Sequence, residues 1–348
     1  METERIFWQE TSGWTYPAGR RLKADLVLYF GARSALESTE RFQELRDAYP
    51  QARLLGCSTG GQIADSDVLD EGIAAIAIAF ANTRLELVTS EIDPARESMA
   101  IGEDIAHRLI AAATDERPLA GAFLLSDGLH VNGSRLVNGL RQRLGDIPLV
   151  GGLAGDGDRF EKTLVGADAS PRAGIVAAVG FYGTALRIGS GSAGGWSVFG
   201  PRRRVTKSSA NTLFELDGEP ALDLYERYLG EDDAKGLPGT ALLFPLMLRD
   251  PSLPDHEVVR TVLSIDRAAR SMTFAGDVPE GWTAQLMRGT FDRLTQGAAE
   301  AGCRANSPEL RANTGFSLLI SCIGRRLLMG QRVHEEVEAV LDALPSGI

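Results

Sequence analysis

Gly56-Cys57-Ser58-Thr59-Gly60 fits G-x-S-x-G, the pattern in which a sharp strand-to-helix turn exposes a serine for acyl transfer. A serine hydrolase using Ser58 is therefore one reading. Two requirements go unmet: the following residues, Gly61 to Asp67, carry no sustained helical period, and none of the four histidines (His107, His130, His256, His334) stands in a distinctive context for a general base. The glycines suit a different chemistry, because they permit positive φ and let a ligand approach main-chain N–H groups closely. A second glycine loop, Gly151-Gly152-Leu153-Ala154-Gly155-Asp156-Gly157, has the same character, and Ser126-Asp127-Gly128 closes the strand before it. If these strand ends are neighbours, Asp127, Asp156 and the loop N–H groups converge on one cavity suited to a small polar or zwitterionic ligand. The alternative for each aspartate is a turn hydrogen bond. Near the C-terminus, Ser321-Cys322-Ile323-Gly324-Arg325-Arg326 sets a thiol beside two guanidinium groups, an arrangement for anion binding or a reactive cysteine; a buried structural cysteine is the plainer alternative.

Two further glycine patterns carry no nucleotide chemistry. Gly189-Ser190-Gly191-Ser192-Ala193-Gly194 matches G-x-G-x-x-G, but Trp196, Phe199 and Pro201 follow where a dinucleotide site needs a helix N-terminus. No glycine loop runs on into Gly-Lys-Ser/Thr.

The elements that must position these loops are written twice. A shift of 95 residues lays Asp25–Gln62 on Ala120–Gly157 without a gap, matching Leu54 with Leu149, Gly56 with Gly151 and Gly60 with Gly155. Each copy reads as strand, helix, strand, then two closely spaced apolar runs: Gly72–Phe80 with Arg84–Thr89, and Gly174–Phe181 with Ala185–Gly189. The short connections between those runs predict hairpins, and hence partly antiparallel sheets. Helical spacing of Ile101, Ile105, Leu109 and Ile110 predicts an amphipathic helix over 94–113. Beyond residue 205 the pattern predicts a strand or hairpin at 204–216, a helix opened at Pro220, strands near 241–248, 258–265 and 271–275, a helix over 285–303, a strand over Phe316–Cys322 and a last helix over 334–344. The expected organisation is an N-terminal extension (1–24), a duplicated α/β module (25–205, with repeats 25–90 and 119–189) and a second α+β module (206–348), all with mixed sheets.

Over 348 residues, 44% hydrophobic and 24% charged, the chain is long enough for more than one core and has the composition of a folded protein. A net charge of −11 opposes nucleic acid, and the one basic cluster, Arg202-Arg203-Arg204 with Lys207, reads as a solvated strand flank. No apolar run approaches the roughly 20 residues of a membrane helix, and the charged start, Met1 to Arg5, has no signal-peptide order. Three cysteines without paired spacing argue against a disulfide framework or zinc site. A cytoplasmic protein without membrane insertion is expected.

In order along the chain, Gly56-Cys57-Ser58-Thr59, Val150 to Asp156, Glu215 to Ala221 with Tyr225, and Phe316-Ser317 to Arg325 resemble the FIST family over about residues 25–335. The resemblance implies an intracellular sensory module that binds a small ligand such as an amino acid and feeds a signalling protein, here one acting in trans. It supplies no catalytic residues. Some relatives resemble haem-based gas sensors, for which His130 and His256 are the available axial candidates; no cofactor is otherwise expected. The expected ligand-binding residues are Cys57, Ser58, Thr59 and Gly60 in the first loop, Asp127, Gly152 and Asp156 in the second copy, and Arg260, Cys322 and Arg325 in the C-terminal module, with no catalytic or metal-binding set.

Overall fold

A computed structural model of the chain describes residues 1–64, 67–93, 97–253, 256–306 and 315–345. In the N-terminal half, β1 (Glu2–Gln9) and β2 (Gly13–Thr15) precede β3 (Leu26–Gly31), α1 (Arg33–Leu36), α2 (Thr39–Ala48) and β4 (Arg53–Ser58). The short antiparallel pair β5 (Gln62–Ala64) and β6 (Asp67–Leu69) follows, then β7 (Ile73–Ala79), β8 (Arg84–Glu91) and α3 (Ser98–Ala111). The second copy contributes β9 (Leu119–Ser126), α4 (Gly133–Leu144), β10 (Leu149–Leu153), β11 (Val165–Ala167) and β12 (Ile175–Tyr182).

These elements make two mixed sheets, ordered β11-β4-β3-β7-β1-β2 and β10-β9-β12-β8. Within them β4-β3-β7 and β10-β9-β12 share one arrangement, a parallel pair followed by an antiparallel partner. Alternation along the strands turns Leu28, Leu55 and Cys57 of one sheet toward Phe123, Leu125 and Val179 of the other, so the sheets share a single apolar layer. Their opposite faces carry the helices: Val27, Tyr29 and Leu54 pack with Leu45 of α2, and Ala122, Leu124 and Val176 with Ile105 of α3 and Leu140 of α4. The result is four layers, helices outside and sheets inside. Burial on both faces explains why β12 is buried at every position and reads as an unbroken apolar run.

Neither expected hairpin forms. After β7 the chain crosses to the other sheet, where β8 pairs with β12 over Arg84–Glu91. The physical reason is that both edges of β7 are already taken, by β3 and by the N-terminal strand β1. In the second copy, β12 lies between β9 and β8, and 185–189 is not a strand. β11 crosses in the opposite sense and pairs with β4. The two halves thus exchange edge strands.

In the C-terminal half come β13 (Trp196–Ser209), β14 (Thr212–Leu216), β15 (Glu219–Pro220), α5 (Ala221–Leu229), α6 (Glu231–Lys235) and a 3-10 turn at Gly239–Leu243. They are followed by β16 (Leu246–Arg249), β17 (Glu257–Arg260), β18 (Val262–Asp266), β19 (Ser271–Phe274), β20 (Thr283–Gly289), α7 (Phe291–Ala305), α8 (Ile323–Met329) and α9 (His334–Ala343). The sheet runs β17-β16-β20-β13-β14-β19-β18, with β13 serving both halves: its first part pairs with β20 and its last part with β14. Leu213, Leu224, Phe274 and Leu286 are among the core residues beneath it.

Three sequence-based elements are corrected. The helix expected over 285–303 begins at Phe291, because Thr283–Gly289 is needed as the strand between β13 and β16. The strand expected over Phe316–Cys322 is not one, and among the described residues it pairs with no strand; Phe316 and Leu318 pack, partly buried, against the layer between the two N-terminal sheets. The helix expected over 94–113 is α3, Ser98–Ala111, and Pro94 at its expected start lies outside the described residues.

Candidate functional site

The duplicated topology brings the two glycine loops side by side at the ends of β4 and β10. Gly155 N–H donates to Ser58 O at 2.9 Å, and a Cβ built on Gly60 would stand 3.1 Å from Gly157 Cα. Ser58 does not project as a nucleophile. It is fully buried, and its Oγ accepts the Leu164 N–H at 2.9 Å while its own N–H bonds Leu164 O at 2.9 Å. Cys57 faces the apolar layer, and burial pushes its thiol up to about 12. Thr59 Oγ1 lies 3.0 Å from the amide of the buried Gln62.

The second copy's carboxylates are engaged with their own turns. Asp127 is fully buried and accepts N–H bonds from Leu129 (2.8 Å), His130 (3.0 Å) and Gly174 (2.8 Å), with His130 Nδ1 at 3.0 Å as well. Burial pushes this carboxyl up, but the donors from Gly174, Leu129 and His130 outweigh it and hold it below the usual carboxylate range. Asp156 accepts from Glu161 N (2.9 Å) and Lys162 N (3.0 Å) and pairs with Arg33 of α1 at 3.3 Å. Gly152 lies open on β10, with Ile320 Cγ2 3.5 Å from where its Cβ would be.

Arg260 bonds neither glycine loop. It donates to Asp277 O at 2.8 Å and to Ser134 Oγ of α4 at 3.0 Å, and burial lowers its guanidinium pKa. Together with Gly133 N–H on Ala275 O at 3.1 Å, it joins the two modules. Cys322 is exposed and caps the start of α8. Arg325 turns inward: it pairs with the buried Glu336 of α9 and donates to Gly194 O and, at 2.6 Å, to Leu294 O of α7.

The residue that does reach the first loop is Arg326. Successive helical residues diverge by about 100°, so the inward turn of Arg325 sends its neighbour outward across the module boundary. There Arg326 donates to Gly60 O and pairs with Asp70. Ile323 of the same helix covers Gly60, whose Cβ would stand 2.5 Å from Ile323 Cδ1. The N–H groups of Gly60 and Gly61 give no hydrogen bond to any acceptor among the described residues. These two consecutive backbone donors thus lie next to a guanidinium group that is bonded to the carbonyl of the first. The Arg325-Arg326 pair was visible in the sequence; which member faced the loop was set by the helix phase.

Other chemistry has less support. Among the described residues no group of three or more His, Cys, Asp or Glu side chains could hold a metal ion. His130 Nδ1 lies 3.0 Å from Asp127 Oδ1, and His256 packs edge-on against Trp282 with ring centroids 5.3 Å apart. Among the described residues no helix is long and apolar enough to cross a membrane.

Two α/β modules are thus joined by a helix laid over paired glycine loops. Family models for the FIST N domain, over residues 25–219, and the FIST C domain, over 221–348, match this chain, which therefore belongs to the FIST family of sensory signal-transduction domains. An uncharacterized protein of Methanocaldococcus jannaschii is similar at 24% identity over 339 residues, covering 92% of this chain and 64% of the relative. The chain thus spans less than two thirds of that relative's length.

Proposed function

We propose that this chain senses a small anionic or zwitterionic metabolite, such as an amino acid, bound above Gly60 and Gly61, and passes the signal to a partner protein. The observation that carries the reading is Arg326 reaching across the modules to Gly60 O and Asp70, over two N–H groups without acceptors among the described residues. A ligand carboxylate takes those N–H groups and replaces Asp70, whose side chain is 84% exposed, as the partner of the guanidinium. Thr59 and Cys322 adjoin Gly60 and Ile323 in the chain, whereas Cys57, Ser58, Asp127, Asp156, Arg260 and Arg325 hold the loops and the module interface in place.

Occupancy becomes movement through α8. Arg326 and Ile323 lie against the loop, while Arg325 of the same helix is held by Glu336 of α9 and Leu294 O of α7, so a displaced Arg326 pulls on the C-terminal helices. A ligand that binds only the displaced arrangement shifts the population toward it. Exposed Leu327 and Leu341 on those helices offer a partner apolar contact. Exposed, unpaired Cys303 and Cys322 suit a reducing, cytoplasmic setting.

The test is a thermal-shift screen of the full chain against amino acids and small organic acids. A ligand at about 100 times its dissociation constant contributes about 2.7 kcal/mol. A selective shift that disappears in Arg326→Gln, and in Gly60→Val through its clash with Ile323, supports the site. Silence across the panel removes it, and labelling of Ser58 by a fluorophosphonate in the folded protein would favour a hydrolase instead.

A further inference from the structure

The duplication leaves one edge strand unmatched. In the first copy, Arg53 N–H on Asp25 O and Thr59 N–H on Gly31 O fix which main-chain groups of β4 face β3, so Leu54, Gly56 and Ser58 turn theirs to the other side. There β11 takes them in antiparallel pairing: Ser58 N–H donates to Leu164 O at 2.9 Å, Gly166 stands opposite Gly56, and Asp168 N–H donates to Leu54 O at 2.8 Å. In the second copy, Ala122 N–H on Pro148 O (2.8 Å) and Ala154 N–H on Ser126 O (2.7 Å) bracket β10 in the same way. Leu149, Gly151 and Leu153, the 95-residue counterparts of Leu54, Gly56 and Ser58, therefore turn outward. No strand meets them among the described residues: β10 ends its sheet, and these outward N–H groups give no hydrogen bond there. Gly151, which is all backbone, and Leu153 are exposed.

A charge is unmatched at the same edge. Asp168, which closes β11, accepts Leu54 N–H at 2.8 Å and Arg46 Nη2 at 2.6 Å. Arg46 also donates to Ala52 O at 2.6 Å. The shift that carries Arg46 to Arg141 carries Ala52 to Ile147, and Arg141 keeps the equivalent bond, to Ile147 O at 2.8 Å. Among the described residues Arg141 meets no carboxylate, and its Nη2 lies 3.5 Å from Leu149 O. The second copy thus presents the outward groups and the guanidinium that hold β11 in the first, with neither the strand nor its acid in place.

We infer that the outer edge of β10 is a docking slot for an extended segment of a partner protein, antiparallel to β10 and bearing a carboxylate opposite Leu149. In strand addition of this kind the main-chain bonds supply affinity and the side chains supply selectivity. Arg141 decides the occupant. The chain's own stretch beside β10, Phe316 to Cys322, holds no acid, and a second copy pairing its β10 about Gly151 would set Leu153 opposite Leu149. The slot needs no ligand at Gly60 and Gly61.

The experiment titrates the isotopically labelled full chain with acetyl-Leu-Val-Gly-Ala-Asp-amide, the sequence of residues 164–168, and follows the amide signals by NMR. Gly151 and Leu153 are expected to shift saturably, and the analogue ending in Asn to bind about ten-fold more weakly, the worth of hydrogen bonds to a charged acceptor. Arg141→Gln is expected to remove most of that gap. Leu153→Pro, which deletes an outward N–H on an edge strand where proline is tolerated, is expected to weaken both peptides. No saturable shift, equal binding of the two peptides by the unmodified chain, an undiminished gap in Arg141→Gln, or shifts at Gly56 and Gly166 in place of Gly151 and Leu153 would each overturn the inference. So would Gly151 and Leu153 amides protected from exchange in the free chain, the sign that its own segment or a second copy already fills the slot.

Discussion

Gly56 and Gly151 occupy the same place in the two halves of the N-terminal module. Gly56 is in register with Tyr29 and Gly151 with Leu124, and a Cβ on either glycine would overlap the main-chain oxygen of its partner. The 95-residue shift that pairs the glycines also pairs Tyr29 with Leu124, so one close contact between parallel strands has been built twice.

Alanine at Gly56 or at Gly151 should therefore destabilise the chain by about 3 kcal/mol, since the obstructing atom is backbone and cannot rotate away. Alanine at the adjacent Gly152, whose Cβ would meet Ile320 at an ordinary 3.5 Å, should cost less than about 1 kcal/mol. Urea denaturation of the three variants decides the matter; similar losses at all three would contradict the register.

Removing one member of the buried Arg325–Glu336 pair leaves a charge without its partner, at an expected cost of about 3–5 kcal/mol. Arg325→Met should show this loss, and Arg325→Met with Glu336→Leu should recover much of it. The corresponding change at the exposed Arg227–Glu219 pair should stay below about 1 kcal/mol in the same assay.

Of the three cysteines, Cys57 is buried with its thiol pushed up to about 12, whereas Cys303 and Cys322 are exposed. A disulfide reagent at pH 8 should titrate Cys303 and Cys322 in the folded chain and reach Cys57 only in denaturant. Labelling of Cys57 at the rate of the other two, before unfolding, would show that the layer between the sheets is open.

Acid should weaken the turn after β9. The folded Asp127 carboxyl sits below its unfolded value of about 3.9, so its contribution is complete above that pH and is lost as pH falls through the lower folded value. Asp127→Asn should lower stability at pH 7 by about 1.5–3 kcal/mol, because N–H bonds to a charged acceptor are lost, and should flatten the stability profile below pH 4. An unchanged acid limb in the variant would assign that limb to other carboxylates.

The sequence by itself determined the repeat, the apolar strands, the glycine loops and the family. These are local in character: a period of two, a run of β-branched residues or a glycine at a fixed offset is written in neighbouring positions. It singled out Asp127 and Asp156 as ligand-binding residues and left turn hydrogen bonds as the alternative; the turn bonds are what their carboxylates make. Tertiary structure alone decided which edge each strand would take. The short 80–83 connection allows a hairpin, and only the arrival of β1 on β7 from the far N-terminus sends β8 to the other sheet. It also chose between Arg325 and Arg326, because the phase of α8 depends on a buried glutamate in α9. The core beneath the C-terminal sheet was hidden for the same reason: Phe199, Leu224, Leu246 and Met272 come from four separate elements, and their convergence is a matter of pairing and packing between distant segments.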